Sequence, residues 1–149
     1  MMLFSVDGDP EAQARPRTFS MRGRIVTHSP KMAWYGAVAL MAKTNRPAAP
    51  LDGPVLVGLD FRFRRPASIK MDVSFKSTKP DNDNLEKSVF DAMASVGWFK
   101  DSRIALNVTQ KRYAEAHEKP GLTVMVVALL ETHRTVDMAS LCHAIEARA

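Results

Sequence analysis

The stretch VLVGLDFRFR, Val55 to Arg64, decides the fold. Val55, Val57, Leu59, Phe61 and Phe63 fall on one face, and Leu56, Gly58, Asp60, Arg62 and Arg64 on the other. A period of two is that of a β-strand, so the first set belongs to a core and much of the second faces solvent or a ligand. On the N-terminal side, WYGAVALMAK (Trp34 to Lys43) reads as a helix. Ser29-Pro30 signals its start and the segment from Asn45 to Pro50 breaks it. Further out, MLFSV at the N-terminus is a short strand and Arg24 to Thr27 a second one. Between them Asp7 to Met21, with Gly8, Pro10 and Pro16, reads as an extended loop with basic arms.

On the C-terminal side, Pro66 to Pro80 is a loop long enough to need a reason. Asn84 to Val96 is the central helix: Leu85, Val89, Ala92, Met93 and Val96 recur at three- and four-residue spacing, and Gly97 marks its end. Arg103 to Tyr113 alternates around Ile104, Leu106 and Val108 as a strand does. Leu122 to Leu130 is apolar on both faces, as in a central buried strand. Thr135 opens a last helix with Val136, Ala139, Cys142 and Ile145 on one stripe. This order predicts an α+β (mixed α/β) domain, a single mixed sheet covered by two helices plus an extra C-terminal helix.

The 149 residues suit one domain over 1–149, with 135–149 as a helical extension. The chain is 46% hydrophobic and 25% charged, the balance of an ordinary soluble globular protein. Its one cysteine, Cys142, excludes an internal disulfide and a cysteine-built zinc cage. The longest apolar run, Val124 to Leu130, is too short to cross a bilayer, and Asp7 and Asp9 arrive too early for a secretory signal. The expectation is a cytoplasmic protein with no membrane partner. Net charge is +5, concentrated in two turn-rich stretches. One holds Arg15, Arg17, Arg22, Arg24 and Lys31; the other holds Arg62, Arg64, Arg65, Lys70, Lys76 and Lys79. These are either two solvated loops or the footprint of a polyanion.

The segment that carries chemistry is KPDNDNLEKSVFDAM, Lys79 to Met93, followed by WFKDS, Trp98 to Ser102. Pro80 pushes Lys79 into extended geometry, so Asp81 and Asp83 are expected on extended chain with both carboxylates pointing one way. Just before a helix, the positive end of its dipole stabilises both. Lys87 and Asp91 follow Asp83 at successive four-residue steps, on one side of the helix. Asp101 lies past the Gly97 turn and reaches the same point if its strand returns beside the one feeding Asp81. Three converging carboxylates repel unless a cation joins them, and an oxygen-only set suits Mg²⁺ or Mn²⁺. Such a site polarises a phosphodiester and supplies hydroxide, with a lysine to neutralise developing charge. Read alone, Asp-Asn-Asp-Asn is also what a turn and helix cap look like, and Lys87–Asp91 an ordinary exposed helix pair. An EF-hand is excluded by Leu85 and Glu86, where its loop needs other residue types. The histidines show no metal spacing, and Trp98 and Phe99 read as helix-end packing.

KPDNDNLEK, SVFD, GWFKDSRI and NVTQK together resemble the RusA family of Holliday-junction resolvases, bacterial and prophage endodeoxyribonucleases. The family pattern is Lys-Pro-Asp-x-Asp-Asn-Leu-x-Lys, then x-x-x-Asp, a tryptophan turn, and Asp-Ser before a strand ending in Lys. ARPR (Ala14 to Arg17), THSPKMAWYGAV (Thr27 to Val38) and the strand near Val55 to Phe63 agree more loosely, and the helix from Thr135 has no counterpart. The resemblance implies a RusA-like fold and a homodimeric, Mg²⁺-dependent nuclease that cuts four-way DNA junctions by paired nicks. It implies Asp81, Asp83 and Asp101 as metal ligands and Lys87 as the catalytic lysine, with Asp91 orienting Lys87 or touching the metal. Lys100 departs from the family, many of whose members carry an acid there. Arg15, Arg17, Lys76 and Lys79 are candidate phosphate contacts. A junction's approximate twofold symmetry calls for two symmetric cuts, which two copies of one site meet. Two other readings stay open: a dimer that grips branched DNA without cutting it, and a metal-dependent phosphohydrolase acting on nucleotides.

Overall fold

The computed structural model describes residues 1–12, 17–21, 24–28 and 33–129, with the backbone alone for 17–21 and 24–28. The elements run β1 (Met2–Asp7), β2 (Arg17–Met21), β3 (Arg24–His28), α1 (Ala33–Asn45), β4 (Val55–Phe63), α2 (Asn82–Ser95), β5 (Ile104–Tyr113) and β6 (Gly121–Ala128). β1, β6, β4 and β5 form one sheet in that order. β4 and β5 are parallel and the other neighbours antiparallel, so the sheet is mixed, as expected. One difference lies at residues 17–21, expected as loop and forming β2, which pairs with β3 as an antiparallel ribbon. The glycine and prolines that suggested a loop all precede Arg17. Beyond them Thr18 and Phe19 face Thr27 and Val26 across the ladder, residue types that favour pairing. The helix expected from Thr135, and with it the 135–149 extension, lies outside the described residues.

The period of two in β4 is realised in full: Val55, Val57, Leu59, Phe61 and Phe63 are all buried. The register brings Phe4 and Val6 of β1 and Leu122, Val124 and Val126 of β6 to that same face. Trp34, Val38 and Ala42 of α1 and Leu85, Val89, Ala92 and Met93 of α2 complete the core. Each valine, leucine, phenylalanine or methionine among them contributes about 1.5–3 kcal/mol when fully buried. Gly121 opens β6 where a Cβ would lie 2.4 Å from the Val6 carbonyl oxygen, so only glycine lets the two strands meet there. Among the described residues no helix is long and apolar enough to cross a membrane.

Parallel neighbours need a crossover, and the segment from β4 to β5 supplies it with the 64–81 loop, α2 and a turn. α2 ends in two reversed hydrogen bonds, Gly97 N–H to the Ala94 carbonyl (3.0 Å) and Trp98 N–H to Met93 (3.2 Å). Gly97 takes φ +81, the left-handed conformation that this ending requires. Trp98 then turns inward, fully buried, and its indole N–H donates to the Ala42 carbonyl at 2.6 Å. Phe99 is buried beside it, so both aromatics pack at the helix end as expected. This anchor fixes where the chain leaves for Asp101.

Candidate active site

Asp101 opens a short 3-10 turn, Asp101–Arg103, directly before β5. It therefore stands beside α2 at the edge of the sheet, since β5 is the outermost strand. Asp83, Glu86, Lys87, Phe90 and Asp91 of α2 join Asp101 and Ile104 around one open cleft of about 300 Å³. The Lys87 ammonium donates to Asp91 at 3.2 Å, the four-residue pair that the sequence spacing predicts. Lys87 remains 62% exposed, so its ammonium reaches solvent and whatever enters the cleft. Asp83 accepts one long hydrogen bond, 3.4 Å, from the Asn84 amide. The fold thus brings together Asp83, Lys87, Asp91 and Asp101.

Asp81 goes elsewhere. With Asn82 it lines a second cleft, of about 430 Å³, together with Phe75, Lys76, Ser77, Thr109, Gln110 and Lys111. The expectation that Asp81 and Asp83 lie on extended chain and point one way is corrected here, because α2 begins at Asn82 rather than Asn84. Asp81 is extended (φ −75, ψ 148) while Asp83 is already helical. Each helical residue turns the chain by about 100°, so the two-residue alternation of a strand no longer holds. The cap reading holds for position and not for bonding: Asp81 is the N-cap residue of α2, yet its side chain makes no capping hydrogen bond. Its carboxylate is thereby left facing the cleft. Asp83, in the first turn of α2, keeps the benefit of the helix dipole.

Among the described residues no three His, Cys, Asp or Glu side chains are gathered into a group that could hold a metal unaided. The chemistry of the cleft nonetheless fits a hard cation. Asp83 and Asp101 offer carboxylate oxygens alone, and Mg²⁺ is commonly held by one or two carboxylates, with waters and substrate phosphate completing its shell.

The candidate phosphate contacts separate. Lys79 is exposed next to the Asp81 turn. Lys76 is half-buried, 2.5 Å from the Thr78 hydroxyl and 5.4 Å from the Phe63 ring centroid. Arg15 lies outside the described residues, and Arg17 starts β2, where only the backbone is described. Two residues escaped the sequence reading. Glu86 lines the Asp101 cleft, and its three-residue spacing from Asp83 was the available signal. Lys111 ends the strand segment NVTQK, but nothing local says that its side chain reaches the turn before α2.

Residues 7–127 match the family described as endodeoxyribonuclease RusA. A Bacillus subtilis (strain 168) protein, described as the uncharacterized protein YqaN, is 32% identical over 137 residues, covering 83% of this chain and 93% of the relative. The family match takes in β4, β5 and nearly all of β6, both helices and every aspartate around the two clefts, and on that ground the chain belongs to the RusA family of endodeoxyribonucleases.

Proposed function

We propose that the protein is a divalent-metal-dependent endodeoxyribonuclease that resolves four-way DNA junctions, acting in the cytoplasm as a homodimer that makes paired symmetric nicks. The observation that carries this reading is a single cleft lined by Asp83, Lys87, Asp91 and Asp101 in a chain of this family. Asp83 and Asp101, which share one cleft, are the residues that would hold Mg²⁺ or Mn²⁺; Asp81, which lines the other cleft at the head of α2, would join them as a third carboxylate only by turning toward theirs. Held there, a divalent ion would supply Lewis-acid chemistry, polarising the phosphodiester and lowering the pKa of a water near it. Lys87 supplies the positive charge that offsets the charge developing on the phosphate oxygens, and Asp91, 3.2 Å from it, orients the ammonium. Lys79, with Arg15, Arg17 and Lys76, draws in the sugar-phosphate backbone despite the carboxylates. The products are a 5′-phosphate and a 3′-hydroxyl.

Incubating the protein with labelled four-way junction and linear duplex, with Mg²⁺ and with chelator, tests the reading. Cutting confined to the junction and to Mg²⁺ is expected. Asp83→Asn should lower the cutting rate by on the order of 10³ while leaving binding measurable; retained cutting would remove Asp83 from the mechanism. Metal-indifferent binding without nicks would favour the non-cleaving dimer. Hydrolysis of free nucleotides without salt-sensitive DNA binding would favour the phosphohydrolase.

A further inference from the structure

We propose that Lys111 is a positioning residue for DNA cutting: its ammonium holds the turn that delivers Asp81 and the first turn of α2 to the clefts. The inference rests on the reading that this chain cuts DNA through the aspartates of that turn and helix. Lys111 is paired with Phe61 in the β4–β5 register, so its side chain leaves the sheet on the helix-covered side. There, half-buried, the ammonium donates to the carbonyl oxygens of Thr78 at 2.8 Å and Pro80 at 2.7 Å. These carbonyls flank Lys79, and the second belongs to the residue immediately before Asp81. The main chain adds a third tie, from Lys76 N–H to the Lys111 carbonyl at 2.9 Å.

An ammonium has three protons to donate, and two of these go to main-chain oxygens. That is the arrangement of an anchor; a lysine kept for phosphate leaves its head group in water. Burial and the neighbouring Lys76 both push the amine below its usual pKa, and the nearby Asp81 carboxylate opposes them. The earlier half of the same loop is held in the same manner, for the Arg65 guanidinium donates to the Lys70 and Val73 carbonyls at 2.7 and 2.8 Å. The length of Pro66 to Pro80 therefore serves a built structure, and Lys111 holds the end nearest the chemistry. Loosening that end lets Asp81 and the head of α2 drift, and a misplacement of about 1 Å can cost on the order of 10² in rate.

The test compares wild type, Lys111→Met and Lys111→Arg on saturating four-way junction with Mg²⁺. Lys111→Met should lower the single-turnover rate constant by about 10- to 100-fold. Lys111→Arg should recover most of that loss, because a guanidinium carries donors for both carbonyls. The junction Kd and its dependence on salt should stay as in wild type, and amide exchange should quicken over residues 78–83 but not in the core strands. An unchanged rate would overturn the proposal, as would faster exchange throughout the chain. So would a weaker Kd with a salt slope reduced by about one, the mark of a phosphate contact. A wild-type protein that cuts no DNA would instead overturn the nuclease reading itself, and the inference falls with it.

Discussion

The two faces of the sheet use the same charged residue types to opposite ends. On the face away from the helices, Asp60 is saturated: it accepts from Gln110 at 2.9 Å, from Arg112 at 3.0 Å through each oxygen, and from Arg62 at 3.3 Å. Arg112 also forks onto both oxygens of Glu118, at 2.5 and 2.8 Å. Asp60, Arg62 and Arg112 are only 12–22% exposed, so their charges compensate one another largely out of water. Across the α2 cleft the balance reverses. The Asp83 carboxylate has one long hydrogen bond, and the Asp101 carboxylate is exposed with no hydrogen bond to any described residue. A carboxylate whose lone pairs are spent on fixed donors stabilises the fold and has little to offer a substrate. One that keeps its lone pairs open adds little to stability and remains available for chemistry.

Substitutions on the two sides should therefore fail in different ways. Asp101→Asn should cost the largest effect, on the order of 10³ in cutting rate, with Tm moved by only about 1–2 °C. A large fall in Tm would erase the contrast between the faces. Asp60→Asn should do the reverse. Stripping charge from this network costs about 2 kcal/mol, read as a Tm drop of roughly 5 °C, while cutting by the folded protein at 25 °C stays within about twofold. The smallest effect sharpens the comparison through pH. Its bonds to Arg112 and to the Glu115 amide hold Glu118 down at about 2, well below the ordinary 4.5. A depressed carboxylate contributes its full stability above about 4.5 and loses it as pH falls toward 2. Glu118→Gln should thus lower Tm near neutral pH and converge on wild type as pH approaches 2; a Tm difference that stays constant with pH would show that the carboxylate charge is not what matters.

Much of the fold was legible because β4 alternates without a break, and because the Leu85, Val89, Ala92 and Met93 stripe admits only one helical face. The pairing of Lys87 with Asp91 was equally legible, since residues four apart on a helix meet whatever surrounds them. The divergence of Asp81 and Asp83 was not. It depends on whether α2 starts at Asn82 or Asn84, and a helix boundary carries a weak local signal. Two residues there redirect a carboxylate from one cleft to the other. β2 was hidden for a related reason: its pairing with β3 depends on a partner strand, whereas the prolines before it are read locally.

By itself, then, the amino-acid order determined which positions are apolar and at what period, hence the strands, the helices and the buried face, because side-chain periodicity is a local property of the chain. Tertiary structure alone decided that Asp101 faces α2, that Asp81 stands in a separate cleft, and that Lys111 reaches the turn before α2. Those neighbours are set by the parallel pairing of β4 with β5 and by the path of the crossover between them, and distances through space across such a crossover are not written in any stretch of contiguous residues.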